Sequence, residues 1–259
     1  MKSITVIAYN RPKYLDRVLT ALGECRGVEN YSVCVSLDDG GNQPVVNAVA
    51  RSHPFDVFVM PRKMGVDSHP QGIYEAVFDG FAFDSPSEFN VVIEDDVVPA
   101  PDALELCDWF FAHPRRDDYV CLCLHSHSKD QSNPLLLHEE MRFNSWGWAF
   151  TSKSWKDLLL PEWNQKPPTP HGGIGWDWSV GLTIQRHGLK VLRPELSRTL
   201  NIGRENGTYE TPDHWDEWAK DLTASDGTHG ADYFIVEGYD REMDGWAKEA
   251  VKGAADETR

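Results

Sequence analysis

Three apolar, β-branched runs in the N-terminal part of the chain each stop at a polar cluster, and stretches of helical periodicity separate them. Ile4-Thr5-Val6-Ile7-Ala8 ends at Tyr9-Asn10-Arg11-Pro12, after which Tyr14, Leu15, Val18, Leu19 and Leu22 recur at helical spacing. Ser32-Val33-Cys34-Val35-Ser36 ends at Asp38-Asp39-Gly40-Gly41 and leads into Val45, Val46, Val49 and Ala50 on one helix face. Phe89-Asn90-Val91-Val92-Ile93 ends at Glu94-Asp95-Asp96. Between the last two units the sequence predicts a short strand from Asp56 to Met60, a Gly- and Pro-bearing loop from Arg62 to Gln71, and a helix to about Phe81. Alternation of this kind implies an α/β fold with a mostly parallel, Rossmann-like central sheet flanked by helices. Ligands of such sheets collect beyond the carboxyl ends of the strands, so Asn10-Arg11, Asp38-Asp39 and Glu94-Asp95-Asp96 are expected to converge on one edge.

Beyond Pro101 the pattern changes. The sequence predicts a helix to His113 and a strand from Tyr119 to Leu124, then becomes rich in Trp, Gly and Pro. Its irregularity suits a region that binds a second ligand. A chain of 259 residues fits one compact unit, and the stretch from Trp246 to Arg259 reads as a polar helix that frays.

Charge narrows the partners. Forty-one acidic against twenty-five basic residues give a net charge of −16, which repels nucleic acid and anionic lipid surfaces alike. An anionic ligand would need a local cation, either clustered Arg and Lys or a divalent metal. The five cysteines leave at least one unpaired and show no zinc spacing, which suits a reducing compartment. Met1 runs directly into the apolar stretch from Ile4 to Ala8, too short for a signal peptide or membrane span, so a cytoplasmic protein is expected. The sequon Asn206-Gly207-Thr208 then has no physical consequence.

Adjacent carboxylates at a strand end repel one another by about 1 kcal/mol per pair in water and roughly 4 kcal/mol at an effective dielectric near 20. A divalent cation relieves that repulsion, and magnesium or manganese typically takes one or two carboxylates together with substrate phosphates. The same triplet could instead simply solvate the end of a strand ahead of the helix near Asp102.

The stretch Val91-Val92-Ile93-Glu94-Asp95-Asp96-Val97-Val98-Pro99-Ala100-Pro101-Asp102 resembles the signature of the N-acetylglucosaminyltransferase I family of inverting, GT-A-fold glycosyltransferases. Asn10-Arg11, Ser36-Leu37-Asp38, Gln71-Gly72-Ile73-Tyr74, Gly147-Trp148, Trp176-Asp177-Trp178 and Gly203-Arg204 are similar in order. Arg193-Pro194-Glu195-Leu196-Ser197-Arg198-Thr199 is the most specific stretch, with no generic structural reading. The resemblance implies a UDP-sugar donor, with Mn2+ or Mg2+ as cofactor, and a carbohydrate acceptor. It implies Asp96 as the metal ligand, Asp95 and Glu94 as contacts to donor sugar and ribose, and Arg11 and Asp38 as contacts to the nucleotide. His69, at a shorter spacing from Gln71 than in the family, is implied as a further nucleotide contact, and Thr208 as a contact to the diphosphate. Asp177 matches the family's catalytic aspartate and is the expected general base. Its neighbours Trp176 and Trp178 would form an apolar wall that raises its pKa, while its position also suits a helix N-cap. On this reading residues 1–110 form the nucleotide-sugar half and residues 111–259 the acceptor half of one GT-A domain.

Six of the ten tryptophans fall between Trp146 and Trp178, and Trp148 and Trp178 are the first candidates for stacking on a sugar ring. From Gly203 to about Gly230 the composition is that of a mobile loop able to close over a donor. Two other classes remain open. A nucleotidyltransferase needs a glycine-rich phosphate loop after the first strand, which Tyr9-Asn10-Arg11-Pro12 does not supply. A non-catalytic carbohydrate-binding protein would use the tryptophans for glycan and the triplet for a structural cation. Within the transferases, UDP-glucose or UDP-galactose is the alternative donor.

Overall fold

A computed structural model of the protein describes residues 1–37, 43–59, 87–126, 132–162, 176–205 and 211–237. The expected strand-turn-helix units are present. Strand β1 (Lys2–Ala8) leads to helix α1 (Pro12–Glu24), β2 (Tyr31–Leu37) is followed by α2 (Gln43–Ser52), and β3 (Asp56–Val59) by β4 (Phe89–Glu94). Pro12 opens α1, where its missing N–H costs nothing and its fixed φ already suits the helix. Leu15, Val18, Leu19 and Leu22 form the buried stripe, each contributing about 1.5–3 kcal/mol by leaving water.

Strands β3, β2, β1 and β4 lie side by side and all run parallel. Because β1 has β2 on one flank and β4 on the other, the chain reverses its direction of winding between β1 and β4. That reversal opens a crevice at their carboxyl ends.

Both faces of this sheet are covered, which explains why its strands are continuously apolar rather than alternating. Ile4, Val6, Ala8, Val91 and Ile93 pack with α1 in one core, while Ile7 and Val92 pack with Trp148, Phe150 and Trp155 in a second. The second face also buries Asn90, which donates to Ser3 Oγ at 3.0 Å.

The C-terminal half extends the same sheet. After β5 (Val97–Pro99) and α3 (Ala103–Ala112) come β6 (Leu122–Cys123), β7 (Leu136–Glu140) and β8 (Trp148–Thr151). Helix α4 (Trp176–Arg186), β9 (Val191–Pro194), β10 (Thr199–Asn201), α5 (Pro212–Trp218) and β11 (Phe234–Val236) complete it. Among the described residues nine strands form one sheet, ordered β11-β7-β9-β6-β8-β4-β1-β2-β3, with β8 antiparallel to both β4 and β6. Only Leu122 and Cys123 form regular strand in the stretch expected from Tyr119 to Leu124. Its ends pair with loops instead, Val120 N–H with Lys190 and Leu124 N–H with Gly147.

A small second sheet matters most for the site. β5 pairs antiparallel with β10, Val97 opposite Asn201, and so brings the segment after Thr199 onto the acidic turn. All five cysteines are buried, and none is in a disulfide. Among the described residues no helix is long and apolar enough to cross a membrane.

Candidate active site

The end of β1 and the end of β4 meet through an ion cluster. Glu94 closes β4 opposite Ile7, and the chain turns through Asp95 and Asp96 into β5. Arg11 stands just before α1, its carbonyl accepting from the N–H groups of Tyr14 and Leu15. Its guanidinium spans both carboxylates, with Nη1 2.6 Å from Asp96 Oδ2 and Nη2 on Asp95 Oδ1. Asp95 Oδ2 also accepts from Tyr9 N–H at 3.3 Å. Arg11 side-chain exposure is 12%, against 1% for Asp95 and 7% for Asp96, so the cluster is largely out of water. Burial works against the charge on Arg11, but Asp95 and Asp96, with Glu94 behind them, more than offset it and raise its pKa.

Asp96 is clamped from the other side by a segment distant in sequence. Its carbonyl accepts from Ile202 N–H at 2.7 Å. Gly203 lies directly against its carboxylate, and a Cβ there would fall 2.1 Å from Oδ2 and 2.9 Å from Cγ. Asn201 holds that approach by accepting from Gly203 N–H at 2.7 Å. Arg204 and Glu205 tie this segment to α5 and α1. Tyr14 Oη accepts from Glu205 N–H at 3.2 Å, and Arg204 makes a two-pronged contact with Asp216 at 2.8 and 2.7 Å. Trp215 Nε1 donates to Asn201 carbonyl at 3.1 Å.

The donor set decides how a metal would fit. Asp96 Oδ1 is buried and has no hydrogen-bond partner among the described residues, which leaves a hard oxygen available to a hard cation. Oδ2 is already taken by Arg11, and among the described residues no three or more His, Cys, Asp or Glu converge as a cage. Asp96 Oδ1 suits a magnesium or manganese ion that takes further oxygen ligands from outside the described cluster.

Asp177 belongs to a different element. It sits within the first turn of α4, after Trp176, and is therefore not the N-cap that its sequence suggested. Burial pushes its carboxyl above the usual carboxylate range, while the backbone N–H groups of Trp178 and of Asp177 itself offset part of the rise. Asp38, His69 and Thr208 lie outside the described residues, as do the expected helix before β4 and the stretch from Trp246.

Three expectations need correction. Trp148 is fully buried, with its ring stacked on Phe150 and edge-on to Phe143, so it fills the core and cannot stack on a sugar. Trp178 is half-buried. The run from Arg193 to Thr199 does have a structural reading. Buried Arg193 is paired with Glu140 and donates to the His125 carbonyl, and Glu195 accepts from Asn133 N–H. Fully buried Arg198 places Nε 2.6 Å from equally buried Asp102 without hydrogen-bond alignment, a contact held by charge. The Gly203 to Gly230 stretch contains α5 and a segment tied to Ser197, with Ser225 N–H donating to its carbonyl at 2.8 Å. Ser225 Oγ and Asp226 Oδ1 accept from the N–H groups of Gly227 and Thr228 in that segment. Asn201 was missed because its role depends on a partner across the β5–β10 pairing, and its only local signal is the Asn-x-Gly turn.

The family model for glycosyltransferase-like family 2 matches residues 2–193, which include β1, the acidic turn and α4. The chain belongs to that family. Its fold is the GT-A glycosyltransferase fold, as expected. Among solved structures, it is similar to residues 1–349 of Staphylococcus aureus TarS in complex with UDP-GlcNAc, at 12% identity and a TM-score of 0.53, covering 83% of this chain and 63% of that one. It is also similar to the mannosyltransferase PcManGT from Pyrobaculum calidifontis in complex with GDP-Man and Mn2+, at 16% identity and a TM-score of 0.51, covering 74% and 54%. The glycosyltransferase family 2 chain thus spans less than two thirds of either protein, and these likenesses establish its fold alone.

Proposed function

We propose that the protein is an inverting, metal-dependent glycosyltransferase that moves N-acetylglucosamine from UDP-N-acetylglucosamine to a carbohydrate hydroxyl. The observation that carries this reading is the Arg11–Asp95–Asp96 cluster in the crevice between β1 and β4, with one buried Asp96 oxygen left without a partner among the described residues. An acidic protein binds a diphosphate only with local positive charge, and the crevice offers Arg11 and an oxygen for a divalent ion. Such an ion, when bound, would neutralise the leaving diphosphate as a Lewis acid.

The remaining roles follow from chemistry and from the family resemblance. Asp96 holds the metal, while Asp95 and Glu94 face the donor sugar and ribose. By the resemblance Asp38 and His69 serve as nucleotide contacts, and Thr208 as a contact to the diphosphate. Asp177 accepts the proton of the acceptor hydroxyl as that oxygen attacks the anomeric carbon from the face opposite the diphosphate. A carboxylate with a raised pKa is the better base for this step. The resemblance to the N-acetylglucosaminyltransferase I family supports the donor sugar.

Nucleotide release from a panel of nucleotide-sugars, with and without Mn2+ and candidate acceptors, tests this reading. UDP-N-acetylglucosamine should be the best donor and release should require the metal. Asp177→Asn should abolish turnover while leaving UDP affinity unchanged. A protein that binds glycans but turns over no donor would be a carbohydrate-binding module instead. Metal-dependent release that survives Asp96→Asn would remove Asp96 from the metal site.

A further inference from the structure

Resting on that reading, we infer that Arg11 is a built-in counter-cation, holding Asp95 and Asp96 until a nucleoside diphosphate takes its guanidinium. Metal and donor are thereby made to enter the site together.

Three observations meet here. Arg11 engages an oxygen of each aspartate at once, so the charge of the carboxylate that would hold a divalent ion is already partly offset without one. The guanidinium and a divalent ion carry the same sign and call on the same Asp96 carboxylate, so each weakens the hold of the other. Arg11 also has a second resting surface, because its guanidinium carbon lies 5.8 Å from the centre of the Tyr14 ring. A diphosphate changes the balance. It offers Arg11 oxygens in the planar, two-pronged geometry that guanidinium prefers, and it adds oxygen ligands for a metal beside the Asp96 carboxylate. Released in this way, Asp96 regains Oδ2 in addition to the buried Oδ1. Since coupling is reciprocal, nucleotide tightens metal by the same factor by which metal tightens nucleotide.

The test is Mn2+ binding to the full chain, followed by electron paramagnetic resonance with and without saturating UDP. Wild type should bind Mn2+ weakly alone and at least about tenfold more tightly with UDP. Arg11→Gln removes the competing charge and should tighten Mn2+ alone by about tenfold or more, while shrinking the gain from UDP. Arg11→Lys keeps the charge but reaches one carboxylate at a time, and should give a smaller tightening of the same sign. UDP-dependent Mn2+ binding in wild type with no tightening in Arg11→Gln would overturn the inference and leave the proposed function standing. Should Arg11→Gln lose its cooperative melt, Arg11→Lys decides by the same criterion, and no tightening there overturns the inference. Absence of Mn2+ binding in every protein, even with UDP, would overturn both.

Discussion

Gly203→Ala is the smallest change that should disable the site without touching a charged group. Gly203 is not among the glycines at positive φ, so alanine carries no backbone penalty there and the effect is one of contact alone. The added methyl carbon would sit 2.1 Å from Asp96 Oδ2, whereas ordinary contact begins at 3.4 Å, so one of the two must give by more than an ångström. Backbone movement is restricted, since Ile202 N–H holds the Asp96 carbonyl at 2.7 Å and β5 is paired with β10 on the adjoining residues. The Asp96 side chain is what can turn, and turning it breaks the 2.6 Å contact to Arg11. Loss of a charge-assisted hydrogen bond costs about 1.5–3 kcal/mol of stability. A displacement of about 1 Å at a reacting centre can reduce the rate by roughly a hundredfold. Urea unfolding should therefore show a midpoint shift corresponding to about 1.5–3 kcal/mol. Metal-dependent nucleotide release should fall by about two orders of magnitude. Wild-type stability together with wild-type release would refute the idea that Gly203 sets the position of Asp96.

Asp102→Asn should be more damaging to the fold than to local chemistry, because it leaves the Arg198 guanidinium buried without its counter-charge. The expected loss is about 3–5 kcal/mol by chemical denaturation, and a loss below about 1 kcal/mol would show that the pair is dispensable. His125 is buried beside Arg193, and burial first and that charge second depress its pKa from 6.5 to about 3. Its native form stays neutral where the unfolded chain takes up a proton, so the stability it supports is present above pH 6.5 and is lost as pH falls toward 3. The slope is roughly 1.4 kcal/mol per pH unit. His125→Phe should flatten the dependence in that window, measured by unfolding at a series of pH values, and an unchanged slope would remove His125 as its source.

The elements around the crevice were legible because their signals are local. Leu15, Val18, Leu19 and Leu22 write a helix into one stretch of chain, and Pro12 sets its start. The short stretch Ile4 to Ala8 reads as a strand by its β-branched residues and abrupt polar end. Rules for winding parallel strands then carry the ends of β1 and β4 to one edge, so that Arg11 and the acidic triplet could be expected in one crevice before any coordinates. Asp177 stands out by resemblance, where its position alone suited a helix N-cap equally, and the rise in its pKa follows from burial, as its apolar neighbours suggested.

What tertiary structure alone decided was which charged groups answer one another. Nothing local pairs Arg11 with a carboxylate, and in the fold it bridges Asp95 and Asp96. Arg198 and Asp102 lie within family-like stretches, yet they form a buried brace, and Trp148 belongs to the core. Gly203 matters because a β5–β10 pairing lays it against Asp96. Periodicity is a property of neighbours along the chain and survives in the sequence. The pairing of distant segments is settled by packing and by the cost of leaving buried charge unmatched, and those terms come into being only when the chain has closed on itself.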